Sequence, residues 1–224
     1  NDGIKAWQHQ LGRPLGRWLE AGLPELRLET VSTRVSRSRD GSANLAIRQR
    51  ARLGIEHRHC YRVLPWGEIE AENSVRVPAK LADLPRVGVT IALQPGLDRV
   101  TWLGRGPHEN YPDRKAGAAV GCYSSTVDEM YVPYIVPQEH GGRCDVRWLR
   151  LVDAEGAGLC ITPAAPLQFS ASHFSDDDLF RAHHTNELEL RPEVILNLDC
   201  IQRGVGTGSC GPDTLPRYRI RAVR

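Results

Sequence analysis

Apolar and polar residues alternate through most of the first half of the chain, the period of a half-buried β-strand. Glu25–Val35 alternates in this way. Asn44–Gln49 follows after Asp40-Gly41, a hairpin-type turn pair. Gly54–Val63, Gly67–Val77 and Val87–Leu93 continue the pattern, with Pro65-Trp66-Gly67 as a turn between two of them. Further on, Val100–Leu103, Cys144–Leu151, Leu159–Thr162, Leu167–Ala171, Val194–Gln202 and Tyr218–Ala222 are predicted strands. Asp176–Ala182 is the best helix candidate, because its acidic first turn complements a helix N-terminus. Such runs, separated by Gly, Pro and Asp, predict antiparallel pairing with one face buried. No internal repeat and no low-complexity linker interrupts them. The expectation is one all-β domain over residues 1–224, with long Gly/Pro-rich connections that carry function or pack between domains.

Composition narrows the class. The chain has 224 residues, 41% hydrophobic and 25% charged, which is ordinary for a globular protein with a sizeable core. Net charge is +2 at pH 7, and Arg is spread along the sequence, so the footprint of a nucleic-acid binder is missing. No apolar run approaches the ~18 residues needed to span a bilayer. The chain begins at Asn1 rather than Met, so targeting is not legible from that end. Six cysteines occur, at 60, 122, 144, 160, 200 and 210, without CxxC or zinc-ligand spacing. Isolated cysteines in strand contexts read as small buried thiols, and the compartment as reducing and cytoplasmic.

The stretch from Trp102 to Leu151 crowds Gly, Pro, Tyr, Trp, His and paired charges between short β-type runs. Its candidate chemistry is weighed residue by residue. Glu109 and Glu139 sit beside Gly/Pro turns, where a carboxylate accepts backbone N–H groups or pairs with Arg; Arg114 and Arg143 are the expected partners. His140, beside Glu139, is weighed as a general base against a surface or structural histidine. His183-His184 is read as a satisfied or exposed pair rather than a metal site. Tyr111, Tyr131, Tyr134 and Trp148 are expected in the core or at an interface.

Trp102 to Arg114 (WLGRGPHENYPDR), continued by Met130 to Cys144 (MYVPYIVPQEHGGRC), resembles the signature of the C-terminal small-chain region of bacterial β-galactosidases of glycoside hydrolase family 2. Asn1-Asp2-Gly3 resembles the opening of a loop over that family's active site, Arg17–Gly22 the segment after it, and Gly204–Pro212 its final Gly-rich loop. The resemblance covers essentially the whole chain. It implies a large antiparallel β-supersandwich similar to galactose mutarotase, with the chain truncated at its start. It implies that the intact enzyme hydrolyses terminal β-D-galactosides with retention. The two catalytic glutamates would lie in a preceding barrel, and a (β/α)₈ barrel needs ~250 residues of strand–helix alternation, which are not visible here. The domain is then structural and forms one rim of the sugar pocket, with Asn1, Asp2, Gly3, Ser209 and Cys210 as the substrate-binding candidates and no catalytic residue.

Some members carry a Trp platform near the position of Cys210, where a thiol offers less stacking surface. Asn1–Arg17, with Trp7, His9 and Gln10, is expected to be mobile without the barrel. The resemblance also implies Mg2+ and Na+ bound outside this domain, none on this chain. The expected partners are a galactoside, the other domains of the same enzyme and a second copy through an unpaired sheet edge; no nucleic acid or membrane is expected. Two other classes stay open: a stand-alone carbohydrate-binding module, and an aldose epimerase using His140.

Overall fold

A computed structural model describes residues 14–81, 83–206 and 213–220. The described residues gather into two compact units, one spanning 17–83 and one spanning 84–220 together with 14–16. Most regular structure among the described residues is antiparallel β, so the fold is all-β as the alternation predicts.

The first unit is a four-stranded meander. Strands β1 (Leu28–Arg37), β2 (Ala43–Ala51), β3 (Glu56–Val63) and β4 (Ile69–Arg76) pair in sequence order. The Asp40-Gly41 turn closes β1 on β2, with Asp40 Oδ1 accepting from the Ser42 amide at 3.0 Å and the Ser42 hydroxyl at 2.7 Å. The turn at Pro65–Gly67 closes β3 on β4 through Leu64 and Glu68. A helix that the alternation does not announce, α1 (Pro14–Glu20), precedes β1. It places Pro at its first position, where a missing N–H costs nothing. Its Trp18 indole donates to the Asp83 carbonyl at 2.7 Å, and Arg17 pairs with the Asp83 carboxylate at 2.9 Å.

The second unit is a sandwich of two four-stranded sheets. One contains β6 (Arg99–Gly106), β7 (Ala119–Thr126), β9 (Trp148–Val152) and β10 (Gly158–Ile161) in the order β10-β9-β6-β7. The other contains β5 (Arg86–Leu93), β8 (Arg143–Val146), β11 (Leu167–Ser172) and β12 (Val194–Gln202) in the order β5-β12-β11-β8. Inward residues of both sheets form one core, centred on Trp102, Val146, Leu149, Leu151, Phe169, Val194 and Leu196. Each such side chain contributes roughly 1.5–3 kcal/mol relative to exposure. The Trp102 ring meets Phe169 edge-on at 5.8 Å and donates its indole N–H to the Arg105 carbonyl at 3.0 Å. Helix α2 (Asp176–Arg181) starts in a capping box between Ser175 and Asp178.

Two expectations are corrected, and one strand was not foreseen. Cys144–Leu151 is not one strand: β8 belongs to one sheet and β9 to the other. The chain crosses between them at Asp145–Arg147. Asp145 takes a left-handed backbone (φ 55°), and the Arg147 amide donates to the Leu103 carbonyl at 2.8 Å. Lys115 (2.8 Å) and Arg105 hold the Asp145 side chain at this crossing. Tyr218–Ala222 does not form a strand over its described part, because Pro216–Tyr218 closes a 3-10 turn. The unforeseen strand is β7, an edge strand whose Gly and Ser residues give no clear alternation.

Candidate functional site

The signature stretch folds back on the loop before β8 and builds a polar layer inside the second unit. Asn110, fully buried, supplies both ends of its amide. Its Oδ1 accepts the Cys144 amide at 2.8 Å and its Nδ2 donates to the His108 carbonyl at 2.9 Å. Tyr111 is equally buried and stands against Gly142; a Cβ there would come within 2.8 Å of the ring, so only glycine allows the approach. Its hydroxyl accepts the Gly142 amide at 3.3 Å and donates to Glu139 at 3.4 Å.

Glu109 has no oxygen to spare. One receives Arg114 at 2.6 Å and the Tyr134 hydroxyl, and the other receives the Gly141 amide at 2.9 Å. The expected Glu109–Arg114 pair therefore forms. Arg143, expected beside a glutamate, does not pair with one. It is buried over the Trp102 ring (5.3 Å), donates to the Gly141 carbonyl at 2.9 Å, and leaves Nε without a hydrogen-bond partner. Burial pulls its guanidinium down to about 10.

The cation beside Glu139 is Arg86 of β5, which the sequence reading missed. Arg86 contacts Asp199 at 2.7 Å, Asp176 at 2.8 Å and Glu139 at 3.6 Å. Three carboxylates share one guanidinium, so two negative charges would be in excess with all three ionised. Burial first, then the neighbouring Asp176 and Asp199, push Glu139 up to about 7 despite Arg86. Burial likewise raises Asp199. The cluster is anchored between β5, β12 and α2.

The histidines divide. His140 is buried rather than on the surface, edge-on to Tyr131 at 5.0 Å. Its Nδ1 faces the Gln138 carbonyl at 3.0 Å and its Nε2 has no hydrogen-bond partner. Burial lowers its pKa. His183 and His184 are exposed, and Glu187 receives the His183 amide and contacts His184 Nδ1, both at 2.8 Å. Among the described residues, no group of three or more His, Cys, Asp or Glu side chains stands where it would hold a metal ion. The five described cysteines are free thiols, but only Cys144 is buried; Cys122, Cys160 and Cys200 occupy outward strand positions and correct the expectation of buried thiols. Tyr111 is core, as expected; Tyr131, Tyr134 and Trp148 are partly buried. No helix among the described residues is long and apolar enough to cross a membrane.

The proposed substrate-binding positions, Asn1, Asp2, Gly3, Ser209 and Cys210, lie outside the described residues, as do Trp7, His9 and Gln10. What the structure does place is the base of the Gly-rich loop. Asp113, in the signature, accepts the Val205 amide at 3.1 Å, the Gly206 amide at 2.8 Å and the Thr214 hydroxyl at 3.0 Å. A Cβ at Gly204 would lie 2.6 Å from the Asp113 carboxyl carbon, so glycine is required for this approach. On the other stem, Asp213 receives Arg203 through both oxygens (2.7 and 2.8 Å) and Arg219 at 2.9 Å. Burial opposes the Asp213 charge, but Arg203 outweighs it and holds the carboxyl below its usual range. The role of Asp113 was legible only as part of the signature, and Arg203 and Asp213 gave no signal beyond flanking the loop.

The whole chain, residues 1–224, matches the family described as Beta galactosidase small chain. A β-galactosidase of Vibrio cholerae serotype O1 is 40% identical over 195 residues, covering 86% of the chain and 18% of that protein. One from Aeromonas hydrophila is 33% identical over 215 residues, covering 92% and 20%. One from Priestia megaterium is 33% identical over 159 residues, covering 70% and 15%. The chain thus spans a fifth or less of the length of these relatives. With its signature stretch, its all-β fold and a family match from end to end, the chain belongs to the β-galactosidase small-chain family.

Proposed function

We propose that this chain acts as the small-chain domain of a longer β-galactosidase, which hydrolyses terminal β-D-galactosides with retention. In this reading the domain forms one rim of the sugar pocket, through Asn1-Asp2-Gly3 at one end and Ser209-Cys210 in the Gly-rich loop. Catalysis belongs to a pair of glutamates outside the chain, as do the Mg2+ and Na+ sites. The galactoside meets this chain only in the company of the other domains, and a second copy is a further partner.

The observation that carries the reading is the Asp113 clamp. A signature residue more than ninety positions away holds the amides of the loop stem (Val205 and Gly206, sequence separations 92 and 93). Such a clamp gives the loop a fixed base from which to meet a ligand. The carboxylates of the second unit support the other half. A retaining glycosidase needs one free nucleophile and one acid/base about 5 Å apart. Both oxygens of Glu109 are engaged, and Glu139 is tied to Arg86 and Tyr111.

The test is the purified chain against a chromogenic β-galactoside, with no turnover expected. Turnover that persists through purification and vanishes in Glu109→Gln or Glu139→Gln would assign catalysis to this chain. Calorimetric titration with galactose and lactose tests the binding-module alternative; heat of binding at millimolar sugar would favour that class over a rim that works only in the intact enzyme.

A further inference from the structure

The four-stranded sheet of the first unit gathers arginines that the sequence scatters. Arg48 of β2 lies directly opposite Arg58 of β3. On the same face, Ser32 of β1 continues that row on one side and Ser74 of β4 on the other. Arg34 and Arg76 stand two residues off the row, in opposite directions: Arg34 is opposite Ala46, and Arg76 is opposite Glu56. The four guanidinium-bearing positions therefore form a diagonal stripe across all four strands. With strands ~4.8 Å apart and a two-residue repeat of ~6.8 Å, the stripe is roughly 20 Å long.

All four arginines are exposed and line one concavity of about 690 Å³, together with the hydroxyl residues Ser32, Thr33 and Ser74. The one acidic residue of that lining, Glu56, is already paired with Arg50 at 2.9 Å. None of Arg34, Arg48, Arg58 and Arg76 makes an ion pair among the described residues. Their neighbour Arg62 shows the alternative, held by Asp40 at 2.6 Å and Glu70 at 3.1 Å. Like charges directly opposite on neighbouring strands are destabilising. The Arg48–Arg58 pair thus carries a cost that an anion laid between them would remove.

The length of the stripe fits an extended polyanion better than a compact one. No aromatic side chain lines the concavity, so it offers no stacking platform for nucleic-acid bases or sugar rings. Guanidinium forks match carboxylates bidentately. We propose that this face binds an extended acidic polypeptide segment, whose carboxylates on alternate residues meet the arginine stripe. The proposal stands apart from the galactosidase reading.

The experiment uses the full 224-residue chain. A fluorescent peptide of roughly eight residues alternating Glu and Ser spans the stripe, and binding is read by anisotropy at low ionic strength. Saturable binding that weakens with added salt is expected. The double variant Arg48→Gln/Arg58→Gln should bind at least about tenfold more weakly. Its thermal midpoint should hold or rise, since a repulsive pair is gone. Arg37→Gln, on the opposite face of β1, should leave binding unchanged. Absence of binding at low salt, or equal loss in Arg37→Gln, would overturn the proposal. Single-stranded DNA of equal charge binding more tightly than the peptide would overturn it too, by assigning the face to nucleic acid.

Discussion

Strand alternation has opposite outcomes in the two units. In residues 84–220, two sheets face each other, and inward positions such as Val100, Trp102, Leu149 and Leu196 are sealed in a common core. In residues 17–83 a single sheet has no second layer of its own among the described residues, and every residue of β1 and β4 is exposed. Apolar side chains there stay open to solvent, Val35 at 72% and Ile69 at 61% of their full accessibility. The same sequence period that predicts a strand does not predict what the strand is packed against. A lone sheet of this kind draws its stability from cross-strand pairs and turns, such as Arg62 with Asp40 and Glu70, rather than from a core.

The largest expected break in this contrast is Trp102→Ala. The side chain is fully buried, so the loss should be about 3–5 kcal/mol, seen as a large drop in urea midpoint or as failure to fold. A loss no greater than that of a surface substitution would mean the sandwich is not the stable part. Next comes Asp113→Ala, which removes three hydrogen bonds to a carboxylate, each contributing about 1.5–3 kcal/mol. Amide hydrogen exchange at Val205 and Gly206 should accelerate while the core strands stay protected; unchanged exchange there would show the clamp is not what fixes the stem.

A smaller effect separates the units by pH. The ordinary value of Glu139 is 4.5, and in the folded chain it stands at about 7. Between those values the folded state binds more protons than the unfolded one, so this group makes stability fall as pH rises through the window. Asp199, also pushed up by burial, acts with the same sign. Glu139→Gln should therefore lose less stability than the parent chain between about pH 5 and pH 7. Equal losses in the two proteins would reject the assignment. The smallest expected change is Ile69→Ser on the open sheet, within about 0.5 kcal/mol of the parent by thermal melting. A loss comparable to that of Trp102→Ala would mean that this face is covered after all.

Most strands were legible because alternation, Gly-containing turns and the capping residues of α2 are local signals. The crossing from β8 to β9 was also written in the sequence, as a slip of phase. Buried positions are even at Cys144 and Val146 and odd at Leu149 and Leu151, so the inward face changes at Arg147. A single predicted strand over Cys144–Leu151 passes over that slip. What was not legible is long-range pairing. Arg86 and Asp199 are 113 residues apart, and nothing in either local context selects the other. The arginine stripe is illegible for the same reason: a scatter of Arg along the chain becomes a row only once register is known. For the candidate site, the signature residues identified the family and Glu109–Arg114 followed from charge, while Arg143 was misassigned because its aromatic and carbonyl partners are invisible in sequence.

The Asp113 clamp has a consequence for how the Gly-rich loop varies. Its stems are gripped at Val205 and Gly206 by backbone amides, and at Asp213 and Thr214 by groups outside the tip. Stems pinned in this way lower the entropy cost of closing a chain between them. For engineering, the four anchored residues are a fixed socket: other sequences can be grafted between Gly206 and Asp213, each tested against the same anchor.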